Sequence, residues 1–138
     1  MDIRTFELND SAAVIALWKA CGLTRPWNNP ELDIQRKLSV KDELFLVAEL
    51  DQRIIGSVMG GYDGHRGWIN YLAVDPDIRK QGAGRALMDA VQARLLKLDC
   101  PKINLQVRQG NDAIAAFYEA IGYTDDECRS FGKRLIED

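Results

Sequence analysis

The stretch Val74-Asp75-Pro76-Asp77-Ile78-Arg79-Lys80-Gln81-Gly82-Ala83-Gly84-Arg85-Ala86-Leu87 decides how the chain is read. Upstream, Trp68 to Val74 has the apolar-rich pattern of a strand. Downstream, from about Gly82, Leu87, Val91, Leu95 and Leu98 keep one apolar stripe at helical spacing. Glycines between a strand and a helix start have two readings. They make the bend, or they let an anion approach the unpaired N–H groups of the first helical turn. Arg79, Lys80 and Arg85 gather positive charge there and favour the anion. A Walker loop is excluded, because no Gly-Lys-Ser/Thr follows. The dinucleotide fingerprint is incomplete, since Leu87 occupies its third glycine position.

Working outward, Ile3 to Leu8 alternates as a first strand, and Asn9-Asp10-Ser11 offers caps for a helix with Val14, Leu17, Trp18 and Cys21 inward, closed by Gly22. Asn29-Pro30 starts a second helix reaching about Leu38. Leu44 to Ala48 is apolar on both faces, like a central strand. Asp51-Gln52 turns it into Ile54–Met59, and the turn Tyr62–Gly67 leads into Trp68–Val74, closing a meander. After the long helix, Cys100-Pro101 breaks the chain, and Lys102–Arg108 alternates as a fifth strand. Asn111-Asp112 caps a last helix ended by Gly122, and the tail from Tyr123 to Ile136 is expected to add one or two strands, Phe131–Ile136 the clearest. These elements describe a mixed α/β (α+β) domain with helices over a mostly antiparallel sheet.

The chain's 138 residues suit one domain, residues 1–138, and 46% hydrophobic with 28% charged residues is a globular composition. A net charge of −3 and a pI near 5.2 argue against a nucleic-acid partner. Three scattered cysteines and a single histidine leave no zinc cluster or disulfide framework, so no metal is expected. No apolar run reaches membrane-spanning length, and the N-terminus lacks a signal-peptide profile; the expectation is a cytoplasmic protein without a membrane partner.

Val74-x-Pro-x-x-Arg79-x-x-Gly82-x-Gly84-x-x-Leu87 resembles the acyl-CoA motif of the GCN5-related N-acetyltransferases, the GNAT family. Asn111 with Phe117-Tyr118-x-x-x-Gly122-Tyr123 resembles that family's second motif, separated from the first by one helix and one strand as in the family. The resemblance implies a GNAT fold of six to seven strands and about four helices, with strands four and five splayed around the pantetheine arm. It implies acetyl-CoA as co-substrate and an amine acceptor, either a small molecule or a protein or peptide amine. Pantetheine and thioester contacts then fall to the backbone of Leu72, Ala73 and Val74. The pyrophosphate falls to Arg79, Lys80, Gln81, Gly82, Ala83 and Gly84, with Arg85 beside it. Asn111 would contact the cofactor arm, although it is equally a plain helix cap.

Read alone, Tyr118 is a core aromatic four residues after Ile114; within the motif it is the acid that protonates the departing thiolate. The base departs from the pattern. Gln106 stands where related ribosomal-protein acetyltransferases carry a glutamate, and an amide accepts no proton at neutral pH. Glu49, Asp63 and His65 are substitutes to test, alongside an amine that needs none, and no base is assigned. On the acceptor side, Trp27 and Tyr62 are candidates for stacking, and Asp63 or Glu31 for pairing with an ammonium. A rival implication is a regulatory module that binds acyl-CoA without efficient catalysis. Small members of the family often pair, so a homodimer through exposed strands is open.

Overall fold

A computed structural model describes residues 1–138. Five strands form one sheet in the order β1-β2-β3-β4-β5: Asp2–Thr5, Phe45–Leu50, Arg53–Tyr62, Gly67–Val74 and Ile103–Leu105. The first four pair antiparallel, and β5 joins β4 in parallel. A parallel neighbour needs a crossover, and here the helix α3 (Ala83–Lys97) supplies it. Two further helices, α1 (Ser11–Ala20) and α2 (Pro30–Val40), come between β1 and β2, and α4 (Asp112–Ala120) follows β5. No helix is long and apolar enough to cross a membrane.

The sheet separates two cores. Phe45 and Val47 of β2 join Val14, Leu17, Trp18 and Ile34 beneath α1 and α2. Leu46 and Ala48 face the other way, toward Leu87, Met88, Val91 and Leu95 of α3 and Tyr118 of α4. This is why β2 reads as apolar on both faces. Each fully buried Leu or Val contributes about 1.5–3 kcal/mol, so the stripe on α3 anchors the crossover. The β2–β3 turn puts Asp51 and Gln52 both at positive φ, +50° and +64°, which matches the twist of a two-residue hairpin.

Glycine sets how closely α3 lies on β3. A Cβ at Gly60 would stand 2.5 Å from Val91 Cγ2 and 3.3 Å from the Leu44 carbonyl oxygen. Neither neighbour can retreat without moving the helix or the strand. Gly60→Val should therefore cost about 1–3 kcal/mol through overpacking. Urea unfolding measures it as a fall in midpoint, and an unchanged midpoint would mean that this contact is slack.

The sheet has five strands rather than the expected six or seven, because the tail after Tyr123 forms none. Its residues are mostly polar, and Phe131 and Leu135 are 86% and 87% exposed, so no apolar face draws the segment into the ladder. Side chains hold it instead. Lys102 Nζ and Asn104 Nδ2 both donate to Asp126 Oδ2, at 2.9 and 2.7 Å, and Gln106 Nε2 donates to Ser130 Oγ. Two strands are also shorter than expected. β5 covers only Ile103–Leu105 of the predicted 102–108, and β1 ends at Thr5 before a 3-10 turn at Leu8–Asp10. Between β4 and α3 the chain forms a 3-10 turn over Pro76–Gln81.

Candidate active site

β4 begins as an ordinary neighbour of β5, with Gly67, Trp68 and Ile69 opposite Ile103, Asn104 and Leu105. Pairing stops there, although β4 continues to Val74. The cause lies on the other side of β4. Met59 pairs with Asn70 and Ser57 with Ala73, so two steps on β3 match three on β4. The additional residue is a β-bulge, which bends the strand and raises its twist. Tyr71 sits in it at φ +51°, a left-handed conformation that a bulky residue rarely adopts.

Three contacts hold Tyr71 in that conformation. Its ring stacks on Trp18, with centroids 3.8 Å apart and planes 10° off parallel. Trp18 Nε1 donates to the fully buried Ser57 Oγ at 2.9 Å, and that hydroxyl donates to the Tyr71 carbonyl at 3.0 Å. Tyr71 Oη donates to Asp33 Oδ2 on α2 at 2.6 Å. Burial and the Asp33 carboxylate both push the phenol's pKa up, so it stays a neutral donor. Beyond the bulge, Leu72, Ala73 and Val74 have β3 on one edge and no ladder partner on the β5 side. The strands splay here, and the open edge of β4 lines the gap.

The glycine-rich turn lies at the end of that edge. Gly82 adopts φ +78° as the N-cap of α3, where no side chain caps the helix. The first-turn N–H groups, starting at the buried Ala83, are left to an external acceptor. Gly84 packs under Phe117: a Cβ there would stand 3.3 Å from the ring. Arg79, Lys80, Gln81 and Arg85 are exposed, and none of the three cations among them forms an ion pair. Arg79 Nε reaches only the Val74 carbonyl, at 3.4 Å. An uncapped helix start, glycines and three uncompensated cations fit a polyanionic group such as a pyrophosphate.

The contact of Phe117 with Gly84 brings α4 to the same place. Asn111 caps α4, its Oδ1 accepting from Ile114 N at 3.3 Å. Tyr118 is 8% exposed, edge-on to Phe117 at 5.2 Å and to Tyr123 at 5.7 Å. Burial, with a smaller contribution from Tyr123, pushes its phenol up to about 12. Tyr123 Oη, beside it, is the one buried side-chain polar atom without a partner, a donor left unspent next to the acid candidate.

The substitute bases lie elsewhere. Glu49 lies on β2, where that strand pairs with β1, and is bound to Arg4 Nε at 2.8 Å. Asp63 accepts from the backbone N–H groups of Arg66 and His65 and from Trp68 Nε1; the two backbone bonds foremost hold its carboxyl below the usual range. His65 is exposed in the same hairpin turn, and Gln106 is engaged with Ser130. Asp33 and Tyr71 are what sequence reasoning missed. An acid in a helix's first turn reads as dipole compensation, and nothing in the spacing announces the bulge that brings Tyr71 to it.

This architecture has clear relatives. The family model described as Acetyltransferase (GNAT) family matches residues 7–123, and the chain belongs to that family of acyltransferases. An acetyltransferase from Pectobacterium atrosepticum is 53% identical over all of this chain and 98% of its own length. Among solved structures, Ard1 from Thermoplasma volcanium superposes with a TM-score of 0.73 at 26% identity, over 89% of this chain and 82% of that one. An AAC(6')-Iy structure in complex with a bisubstrate analogue, CoA-S-monomethyl-acetylneamine, gives the same TM-score at 17% identity over 98% of each chain. At that identity the likeness concerns the fold.

Proposed function

We propose that the chain, as one domain over residues 1–138, transfers an acetyl group from acetyl-CoA to a primary amine by direct attack. The observation that carries this reading is the splay of β4 from β5, which opens onto an uncapped α3 N-terminus with three unpaired cations. The CoA-bearing analogue bound by a relative of the same fold supports it. In this reading Arg79 to Gly84, with Arg85, hold the pyrophosphate, and the open edge of Leu72–Val74 binds the pantetheine arm. Asn111 sits alongside that arm. A β4 N–H near Val74 stabilises the oxyanion that develops as the amine attacks.

The chemistry balances within these parts. The acceptor's ammonium first loses a proton to water, and the lone pair this frees forms the C–N bond. The C–S bond breaks with its electron pair on sulfur, and Tyr118 passes its proton to that thiolate. The proton released from the acylated nitrogen restores the phenol through solvent. A neutral Tyr118 suits a donor, and no metal enters the sequence.

Thiol release from acetyl-CoA, read across a panel of primary amines, amino acids and short peptides with CoA binding measured alongside, tests the reading. Amine-dependent release is expected. Tight CoA binding without release for any acceptor class would favour a regulatory module instead.

A further inference from the structure

The C-terminal tail, which forms no strand, crosses from β5 to α2 and encloses an open recess of about 610 Å³. Trp27 and Arg36 form one wall, and Gly132 to Ile136 the other. Charge is sorted along it. Arg36 is already neutralised: its nitrogens lie 2.9 and 3.2 Å from the two Asp138 carboxylate oxygens, and 3.8 Å from Asp33 Oδ1. Lys133 forms no ion pair, and Arg134 bonds only neutral oxygens, Asn28 Oδ1 at 2.8 Å and the Ile136 carbonyl at 3.3 Å. Trp27, on the same lining, is 50% exposed.

Asp33 adjoins the recess through Arg36, one turn along α2; its side chain is 24% exposed and its Oδ2 is held by Tyr71 Oη. Tyr71 belongs to the bulge that opens the cleft, one residue before Leu72. A carboxylate therefore adjoins the splay, and the neighbouring recess holds a half-exposed indole and two cations outside any ion pair, Arg134 acting only through space on Asp138.

We propose that this recess binds the acceptor, and that the acceptor is a small amine that itself carries a carboxylate, such as an amino acid or short peptide. The inference rests on the acetyltransferase reading and names its substrate class. Asp33 pairs with the incoming ammonium and orients the nitrogen toward the thioester. Lys133 and Arg134 take the carboxylate, and Trp27 covers the apolar portion between them. The recess thus selects for charge separation within one molecule, which neither a simple alkylamine nor an internal lysine of a protein provides.

The experiment compares amino acids with their carboxamides and with the corresponding decarboxylated amines, by thiol release and by calorimetric binding to the CoA-loaded protein. A charge-assisted contact predicts that loss of the carboxylate raises acceptor KM and Kd by at least about tenfold. Lys133→Gln with Arg134→Gln should erase that preference while leaving CoA affinity and melting temperature unchanged. Asp33→Asn should raise KM for acid and amide alike, and Tyr71→Phe, which keeps the indole stack, separates the hydrogen bond from the packing. Equal use of acid and amide, or a preference that survives the double substitution, overturns the proposal while leaving acetyl transfer standing. Absence of transfer to every amine, with no zwitterion bound either, overturns both.

Discussion

Gly82→Glu should abolish measurable CoA binding. Gly82 caps α3 at φ +78°, so any side chain there strains the backbone by about 1–2 kcal/mol. Glutamate adds a carboxylate at the mouth of the open N–H groups, where a pyrophosphate would lie among Arg79, Lys80 and Arg85. Repulsion together with loss of the cradle predicts at least a hundredfold rise in Kd, roughly 3 kcal/mol. Nothing within 4 Å would clash with a Cβ at Gly82, so the fold itself should bear the change. Gly82→Ala isolates the strain and should retain most affinity. Calorimetry with CoA distinguishes the two. If the glutamate variant bound as the parent does, the pyrophosphate lies elsewhere.

Tyr118→Phe should leave CoA affinity nearly intact and lower kcat by about a hundredfold or more, the usual contribution of a positioned acid. The ring keeps its edge contacts with Phe117 and Tyr123, so the loss is confined to one proton donor. Unchanged turnover would remove Tyr118 from the chemistry and return it to the core. Its titration gives an independent reading. Folding raises the phenol from 10.0 to about 12, so the neutral form is favoured in the folded state. The associated stability is fully present below pH 10 and is lost as pH rises from about 10 through about 12. Tyr118→Phe should flatten that alkaline decline in melting temperature, and an equal decline in both proteins would contradict the assignment.

Much of the architecture was legible because burial follows simple periods. The stripe Leu87, Val91 and Leu95 gave α3, and the double-faced run Leu44–Ala48 gave the central strand. The turn Arg79–Arg85 was legible because glycine and charge coincide at a helix start, and Phe117-Tyr118 follows it by one helix and one strand. The tail was not. Phe131 and Leu135 look like strand residues, but strand formation depends on an apolar face being offered by neighbours, and none is.

β4 shows a second way in which periodicity falls short. Alternation puts Ile69, Tyr71 and Ala73 on one face. In the structure Ile69 belongs to the α3 core, whereas Tyr71 and Ala73 pack beneath α1. The bulge reverses the parity midway, and parity is invisible to a pattern that assumes it. Asp33 stayed hidden for the same reason, since its partner is a residue that regular alternation would aim at the opposite core.

That reversal also separates two kinds of heritable change. Substitutions along Asn70–Val74 alter what borders the passage between β4 and β5, and can retune it gradually. The passage itself is a matter of counting: β4 spends three residues where β3 spends two. Losing one residue there would restore the tally, keep Ile69 and Ala73 on opposite faces by plain alternation, and let the strands zip shut. The opening is therefore inherited as chain length rather than as side-chain identity, robust to point substitution and vulnerable to a single deleted codon.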